Sequence, residues 1–131
     1  MRLRGRMIAD GNARGEVLIT AGPIGFYGGI EAATGKVIEK GHPLEGECVR
    51  DRVLVFPTGK GSTVGSYVIY GLKVNGTAPA AIINRETDTI TATGVILAEI
   101  PCVDRIDIGR LKAGQKVRVL GSEGAVEVDE D

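Results

Sequence analysis

A short apolar strand, a glycine turn and a helix follow one another near the middle of the chain. Residues 53–56 read Val-Leu-Val-Phe, a continuous apolar run typical of a strand buried on both faces. The turn at residues 58–63 reads Thr-Gly-Lys-Gly-Ser-Thr. Apolar residues then recur at the spacing of one helix face, at Val64, Tyr67, Val68 and Leu72. Because the first amides of a helix lack internal partners, this unit predicts an anion-binding turn.

The same pattern predicts a crossover α/β unit. Residues 80–83 (Ala-Ala-Ile-Ile) form a second all-apolar run, typical of a strand parallel to the first, and residues 101–103 predict a third strand in the same layer. The first helix is expected to stop near Gly71, with a cap within residues 73–76. Asp88 is the predicted N-cap of a second helix over residues 89–98. A strand, a helix and a parallel strand make one crossover.

Both ends of the chain predict β-hairpins. Strands are expected over residues 3–8 and 16–20, separated by a turn at residues 12–15, and a closing hairpin is expected over residues 116–120 and 125–128. An acidic tail occupies residues 129–131. A chain of 131 residues is long enough for one core and short for two. We therefore predict a single α/β domain over residues 1–131, with a β-hairpin layer packed on the crossover unit.

The stretch between residues 21 and 46 contains glycine turns with two open interpretations. The segment Gly22–Gly29 is either a surface loop that covers a neighbour or a loop presented to a partner, and its adjacent aromatics Phe26 and Tyr27 favour the second. Thr34-Gly35 indicates a short hairpin. His42, in a turn before a proline, is predicted to be solvated.

Charge and cysteine content exclude several classes of protein. The formal net charge of −1 disfavours a nucleic-acid or anionic-membrane binder, which normally carries a basic excess. Cys48 and Cys102 lack metal-ligand spacing and are too few to hold an iron–sulfur cluster alone, so we expect reduced, partly buried thiols. Without an apolar segment after the amino-terminal charges, and without a run of membrane-spanning length, a cytoplasmic location is expected.

The central turn is not a nucleotide-binding P-loop, because Lys60 lies between two glycines instead of following a four-residue gap. Gly59 and Gly61 allow a ligand to approach the backbone closely. Ser62 is either an ordinary helix N-cap or a proton acceptor or nucleophile. A helix end supplies at most about 2 kcal/mol, or roughly 1.5 pKa units, which is too little to ionise a hydroxyl at neutral pH. With no histidine or carboxylate in the stretch, a catalytic Ser62 requires a partner chain.

The run from Phe56 to Gly71 (Phe-Pro-Thr-Gly-Lys-Gly-Ser-Thr-Val-Gly-Ser-Tyr-Val-Ile-Tyr-Gly) resembles the signature of the aconitase X small subunit. The likeness covers nearly the whole chain. Segments 11–15 and 22–29 resemble substrate-side loops of that family, and segments 79–84 and 91–104 resemble its carboxy-terminal half. The resemblance implies a swivelling β/β/α domain, as in the mobile domain of aconitases, that docks on an aconitase-like large subunit. That partner, and not this chain, is implied to hold a [4Fe–4S] cluster.

The implied activity is dehydration by a hydro-lyase. In the archaeal branch, the implied reaction is loss of water from (R)-5-phosphomevalonate to give trans-anhydromevalonate 5-phosphate in the mevalonate route of isoprenoid synthesis. The cluster iron is implied to act as a Lewis acid on the leaving hydroxyl. Ser62 matches the family's serine, which removes the α-proton. We further infer that Lys60 and the amides of Gly61 and Thr63 bind the substrate and stabilise its negative charge.

Other functions remain open at the level of the sequence. Related family members resemble hydroxyproline dehydratases, and the glycine loop could instead hold an anionic metabolite in a non-catalytic regulatory module. The segment 87–103 vaguely resembles phosphohistidine swivelling domains, but it is threonine-rich and lacks the required histidine. The basic residues that could bind a substrate phosphate are Lys60, Arg14 and Arg85.

Overall fold

The strands of the computed structural model, which describes residues 1–129, form one sheet in the order β1-β8-β7-β3-β4-β5-β6-β2. Residues 130 and 131 of the predicted acidic tail lie outside the described residues. In chain order, the elements are β1 (Arg2–Arg4), β2 (Arg6–Ala9), β3 (Asn12–Ile19), β4 (Val53–Phe56), α1 (Gly65–Val74), β5 (Ala81–Asn84), α2 (Thr89–Ala98), β6 (Cys102–Asp104), β7 (Lys116–Leu120) and β8 (Ala125–Val128). Short 3-10 helices span Ile108–Arg110 and Gly121–Glu123.

Strand β3 belongs to both halves of the sheet. Its first part pairs antiparallel with β7, and its last part, from Val17 to Ile19, pairs parallel with β4. Strands β4, β5 and β6 continue in parallel, whereas β7, β8 and β1 are antiparallel. Because β1 and β2 are neighbours in the chain yet lie at the two ends of the strand order, the sheet folds over on itself. The predicted β/β/α layering, with a hairpin layer on a crossover unit, is confirmed.

Strand β4 lies in the middle layer with every side chain buried. Leu54 and Phe56 join a core beneath the helices, together with Ile69 of α1. Val53 and Val55 point into a second core between the two halves of the sheet, which also contains Val119. Burial on both faces explains why the run has no polar residue, as expected for a central parallel strand.

The bounds of β4 and α2 agree with the prediction from local sequence. Asp88 is the N-cap of α2, where its side chain accepts a hydrogen bond from the Thr91 amide at 3.1 Å. The two helices approach closely at Gly94, where a Cβ atom would lie 2.6 Å from the Cδ1 atom of Ile69. Helix α1 ends at Val74 and not near Gly71, and the predicted cap region supplies Asn75 as the C-cap.

Two predicted elements at the amino terminus were wrong. The single strand expected over residues 3–8 is divided at Gly5 into β1 and β2, which lie on different edges of the sheet. A side chain at Gly5 would overlap the carbonyl oxygen of Asp104, so only glycine fits this crossing. The turn expected at residues 12–15 is the start of β3, where Arg14 lies opposite Arg118 of β7. Pairing with β7 overrides the turn propensity of this segment.

Residues 20–52 form an irregular cover over the helix side of the sheet. Their buried apolar side chains join the core beneath the helices: Ile24, Phe26, Ile30, Val37, Leu44 and Val49. The predicted hairpin at Thr34-Gly35 is reduced to a single bridge between Ile30 and Val37. Among the described residues, no helix is long and apolar enough to cross a membrane.

An ion pair joins β2 to β6. The side chain of Asp104 is fully buried and accepts two hydrogen bonds from Arg6, from Nε at 3.0 Å and from Nη2 at 2.8 Å. It also accepts the Thr87 amide at 2.9 Å. Burial by itself raises the pKa of Asp104, but the hydrogen bonds from Arg6 and Thr87 outweigh it and hold that pKa below its ordinary value of 3.8.

We expect the pair to make the domain acid-sensitive. Because the pKa of Asp104 is lower in the folded than in the unfolded state, its stabilisation is complete above about pH 4 and is lost as the pH falls through the folded value. Asp104→Asn should lower the free energy of unfolding at pH 7 by about 2 kcal/mol, a modest figure because Arg6 is 43% exposed to screening solvent. Urea denaturation at pH 7 and pH 3 measures both effects. Asp107→Asn, at an exposed carboxylate, is the matched control and should behave as wild type; an equally stable Asp104→Asn variant would contradict the expectation.

Candidate active site

The turn from Pro57 to Thr63 leaves the carboxyl end of β4 and leads into α1. Its first part is half-buried, whereas Lys60, Gly61, Ser62 and Thr63 are exposed. The carboxyl ends of parallel strands in an α/β layer are the usual place for a ligand site. The turn is therefore positioned as the motif predicted, at an open edge of the sheet.

One side of the turn is held by the irregular cover. The Ile24 amide donates to the carbonyl of Thr58 at 3.3 Å, and the Lys60 amide donates to the carbonyl of Ile24 at 2.9 Å. Phe26, two residues further on, packs edge-to-face against Phe56 with ring centroids 5.9 Å apart. Of the adjacent aromatics, Phe26 thus belongs to the core, whereas Tyr27 is 62% exposed. Segment 22–29 therefore covers the core and also borders the candidate site.

Ser62 lies two residues before the N-cap of α1, so its hydroxyl caps the tight turn that leads into the helix and not the helix itself. The cap position is Val64, which makes no side-chain cap hydrogen bond. Instead, Ser62 Oγ accepts the Val64 amide at 3.2 Å, within a tight turn that precedes the helix. No carboxylate, imidazole or ammonium group of the described residues contacts Ser62 Oγ, so its hydroxyl proton has no base within this part of the chain.

The backbone around Ser62 presents free donors. Within the described residues, the amides of Gly61, Ser62 and Thr63 donate to no protein acceptor. Gly61 has a φ angle of +93°, a conformation that favours glycine and turns the chain outward after the Lys60 amide. Successive unpaired amides of this kind suit an anionic oxygen.

The three basic candidates for a substrate phosphate occupy different places. Lys60 Nζ pairs with Glu39 Oε2 at 3.2 Å, a contact that sequence reasoning missed. Arg85 follows β5 at the same sheet edge as Ser62, and its amide donates to the carbonyl of Pro57 at 3.1 Å. Arg14 lies near the amino end of β3, at the opposite end of the parallel strands. The structure thus separates Arg14 from the other two candidates, and residues 12–15 of segment 11–15 are strand and not a substrate-side loop.

His42 is buried and not solvated, which corrects the prediction from its turn context. It is 8% exposed, and its Nδ1 accepts the Leu44 amide at 3.0 Å. Its Nε2 is therefore the protonated nitrogen and donates to the carbonyl of Pro23 at 3.2 Å. With both ring nitrogens engaged, His42 ties two parts of the cover together.

The thiols do not suit a metal cluster. Cys48 and Cys102 are both free, as expected, with Cys48 partly exposed and Cys102 buried. Burial raises the pKa of the Cys102 thiol to about 12, which opposes the thiolate form that a cluster requires. Within the described residues, no three histidine, cysteine or acidic side chains lie close enough together to hold a metal ion. Residues 1–129 therefore do not fit a [4Fe–4S] cluster.

Two cavities differ in their suitability for an anionic substrate. A shallow groove of about 240 Å³ lies between the amino ends of the helices and is lined by Thr63, Ser66, Tyr67 and Thr89, among others. A larger cavity of about 630 Å³ lies between β2 and the end of α2, where Asp10 and Glu99 line it. Because two carboxylates repel an anion, the smaller groove beside the turn is the better candidate despite its size.

Comparison with known proteins finds relatives that match nearly the whole chain. The family model described as the aconitase X swivel domain matches residues 2–128. The phosphomevalonate dehydratase small subunit of Thermococcus onnurineus is 53% identical over 130 residues, covering 99% of this chain and all of the relative. The protein of the same name from Methanosarcina acetivorans is 52% identical, covering 98% of this chain and 91% of the relative.

Two solved structures also match nearly the whole chain. A chain in the crystal structure of Thermococcus kodakaraensis aconitase X in its holo-form superposes with a TM-score of 0.98 at 49% identity, covering 99% of both chains. A solution NMR structure of a UPF0107 protein superposes with a TM-score of 0.91 at 48% identity, covering 99% of this chain and all of the other. The chain therefore belongs to the aconitase X swivel domain family.

Proposed function

We propose that this chain is the small subunit of a phosphomevalonate dehydratase. That hydro-lyase would remove water from (R)-5-phosphomevalonate to give trans-anhydromevalonate 5-phosphate in the archaeal mevalonate pathway. The observation that carries the proposal is identity of about half the residues, over essentially the whole chain, with small subunits of that name. We further propose that residues 1–131 act as one swivelling unit.

The exposure of Ser62 and its turn supports the proposal that a partner chain completes the site. Ser62 lies at the surface with free amides beside it. No carboxylate or imidazole of the described residues is hydrogen-bonded to its hydroxyl. We propose that an aconitase-like large subunit covers this edge and carries a [4Fe–4S] cluster, which would supply a Lewis acid for the leaving hydroxyl. Burial by the partner would also exclude water and strengthen the electrostatic interactions of the loop.

The proposed catalytic role of this chain is to abstract a proton from the substrate. As an alkoxide, its own proton having passed to a base of the large subunit, Ser62 Oγ would take the proton α to the substrate carboxylate while the C–H electron pair forms the new double bond. The departing hydroxide would take a proton from an acid of the large subunit and leave as water. The Val64 amide already donates to Ser62 Oγ and would favour its anionic form. The amides of Gly61 and Thr63 would hold substrate oxygens, and Lys60 would exchange Glu39 for the anionic substrate.

Reconstitution with the large subunit tests the function. Neither chain alone should dehydrate (R)-5-phosphomevalonate, whereas the two together should form the anhydro product, detected by NMR of the new vinylic proton. Activity of the large subunit alone would contradict the two-subunit proposal. Turnover of a hydroxyproline in place of phosphomevalonate would assign the chain to the other branch of the family. An inactive complex in which this chain binds an anionic metabolite would favour a regulatory module.

A further inference from the structure

The start of the Ser62 turn is held by the connection between β5 and α2. Asn84, which pairs in parallel register with Phe56, donates from Nδ2 to the Phe56 carbonyl at 3.0 Å. The next two amides, of Arg85 and Glu86, both donate to the carbonyl of Pro57 at 3.1 Å. The loop that follows β4 and the loop that follows β5 thus run side by side. Hydrogen bonds from successive residues of the second loop hold the first loop in place.

Asp88 makes the last of these contacts and accepts two hydrogen bonds, one on each carboxylate oxygen. Its Oδ1 accepts the Gly59 amide at 2.9 Å, and its Oδ2 accepts the Thr91 amide at 3.1 Å. The turn lies directly against the first residues of α2, because a Cβ atom at Gly59 would lie 2.5 Å from Asp88 Oδ1 and 2.6 Å from Thr91 Oγ1. One carboxylate therefore caps α2 and holds the glycine turn.

Beyond Gly59, the turn has few fixed points before Ser62. The Lys60 amide is held by the carbonyl of Ile24, but the amides of Gly61 and Ser62 have no protein acceptor within the described residues. The Asp88 and Ile24 contacts are thus the final anchors of the backbone, three and two residues before the proposed proton acceptor. Their loss would leave Ser62 held only from the helix side, where its carbonyl accepts the Gly65 amide at 2.9 Å.

We propose that Asp88 is a positioning residue for the dehydration: it sets the place of Ser62 Oγ by fixing the Gly59 amide against the start of α2. The inference rests on the proposed function. Only a side chain with two acceptor oxygens makes both hydrogen bonds. Serine at position 88 retains the N-cap but is too short to reach Gly59, and asparagine offers a single acceptor oxygen while remaining a good cap.

The test uses the reconstituted two-subunit enzyme with Asp88→Ser. Misplacement of Ser62 should lower kcat by roughly 10- to 100-fold, and KM should rise as well, because the substrate-binding amides of Gly61 and Thr63 follow Gly59 in the same turn. Hydrogen exchange by mass spectrometry should show faster exchange in the peptide that contains Gly59, while exchange within α2 stays as in wild type. Asp88→Asn is the second variant, and it should show the same kcat effect if the serine variant does not fold.

A matched control is available at the same contact. Thr91 Oγ1 is buried against Gly59 and has no hydrogen-bond partner within the described residues, so Thr91→Val removes no bond and should retain wild-type kcat. An active wild-type complex whose Asp88 variants keep full kcat would overturn the positioning role. So would a fall in kcat that is accompanied by faster exchange throughout α2, which indicates lost folding. An inactive wild-type complex would instead overturn the proposed function itself.

Discussion

Replacing Ser62 with alanine is expected to reduce the turnover of the reconstituted enzyme by roughly 1,000-fold. In the proposed reaction the Ser62 oxygen takes up the α-proton, and alanine has no side-chain oxygen to do so. Among the described residues, the only hydrogen bond lost with the Ser62 hydroxyl is that from the Val64 amide, at an exposed position, so stability should change by no more than about 0.5 kcal/mol. Steady-state kinetics with (R)-5-phosphomevalonate measures kcat, and thermal unfolding measures stability.

A second serine provides the control. Ser122 is exposed in the 3-10 helix between β7 and β8, away from the carboxyl ends of the parallel strands, and Ser122→Ala should retain wild-type turnover. Binding of the large subunit should be the same for both variants. If Ser62→Ala kept more than about a tenth of wild-type kcat, Ser62 would not be the proton acceptor.

Phe56→Ala should have the largest effect on stability, at about 4 kcal/mol. Phe56 is fully buried at the end of β4, beneath the helices, and its ring meets Phe26 edge-to-face. Truncation removes apolar area from the core, leaves a cavity and loses the aromatic pair with the cover. Urea denaturation of wild type and variant measures the difference in the free energy of unfolding.

The aromatic pair can be separated from the cavity by a double-mutant cycle with Phe26→Ala. A coupling of about 0.5–1.5 kcal/mol is expected for an edge-to-face pair that anchors the cover. Tyr67→Ala serves as the exposed control, since Tyr67 is 72% exposed and its loss should be nearly neutral for stability. A cost below about 1 kcal/mol for Phe56→Ala would show that the cover is not packed on β4 as described.

Elements with a strong local signal could be predicted closely from sequence. Strand β4 is a four-residue apolar run between a charged residue and a proline, and its bounds were predicted correctly. Helix α2 begins directly after its N-cap, Asp88, whose side chain marks the boundary, and it ends where expected. Such signals lie within a few residues of the element, so no distant partner is needed to interpret them.

Elements that depend on distant partners could not be predicted in this way. Residues 12–15 have turn composition but become strand because β7, about a hundred residues away, pairs with them. The division of the first strand at Gly5 follows from contact with Asp104 on another edge of the sheet. His42 is buried because the cover folds back and brings the carbonyl of Pro23 to its ring.

For the candidate site, the sequence alone determined the glycine turn, its place between a buried strand and a helix, and Ser62 as the residue to test. Only the tertiary structure showed that Ser62 caps the turn before α1 and not the helix itself, that Lys60 pairs with Glu39 and that Arg14 lies at the far end of the strands. It also showed the contact between Gly59 and Asp88 across 29 positions. The physical reason is that periodicity and capping report on neighbours along the chain, whereas the placement of the Ser62 turn depends on hydrogen bonds between segments that only folding brings together.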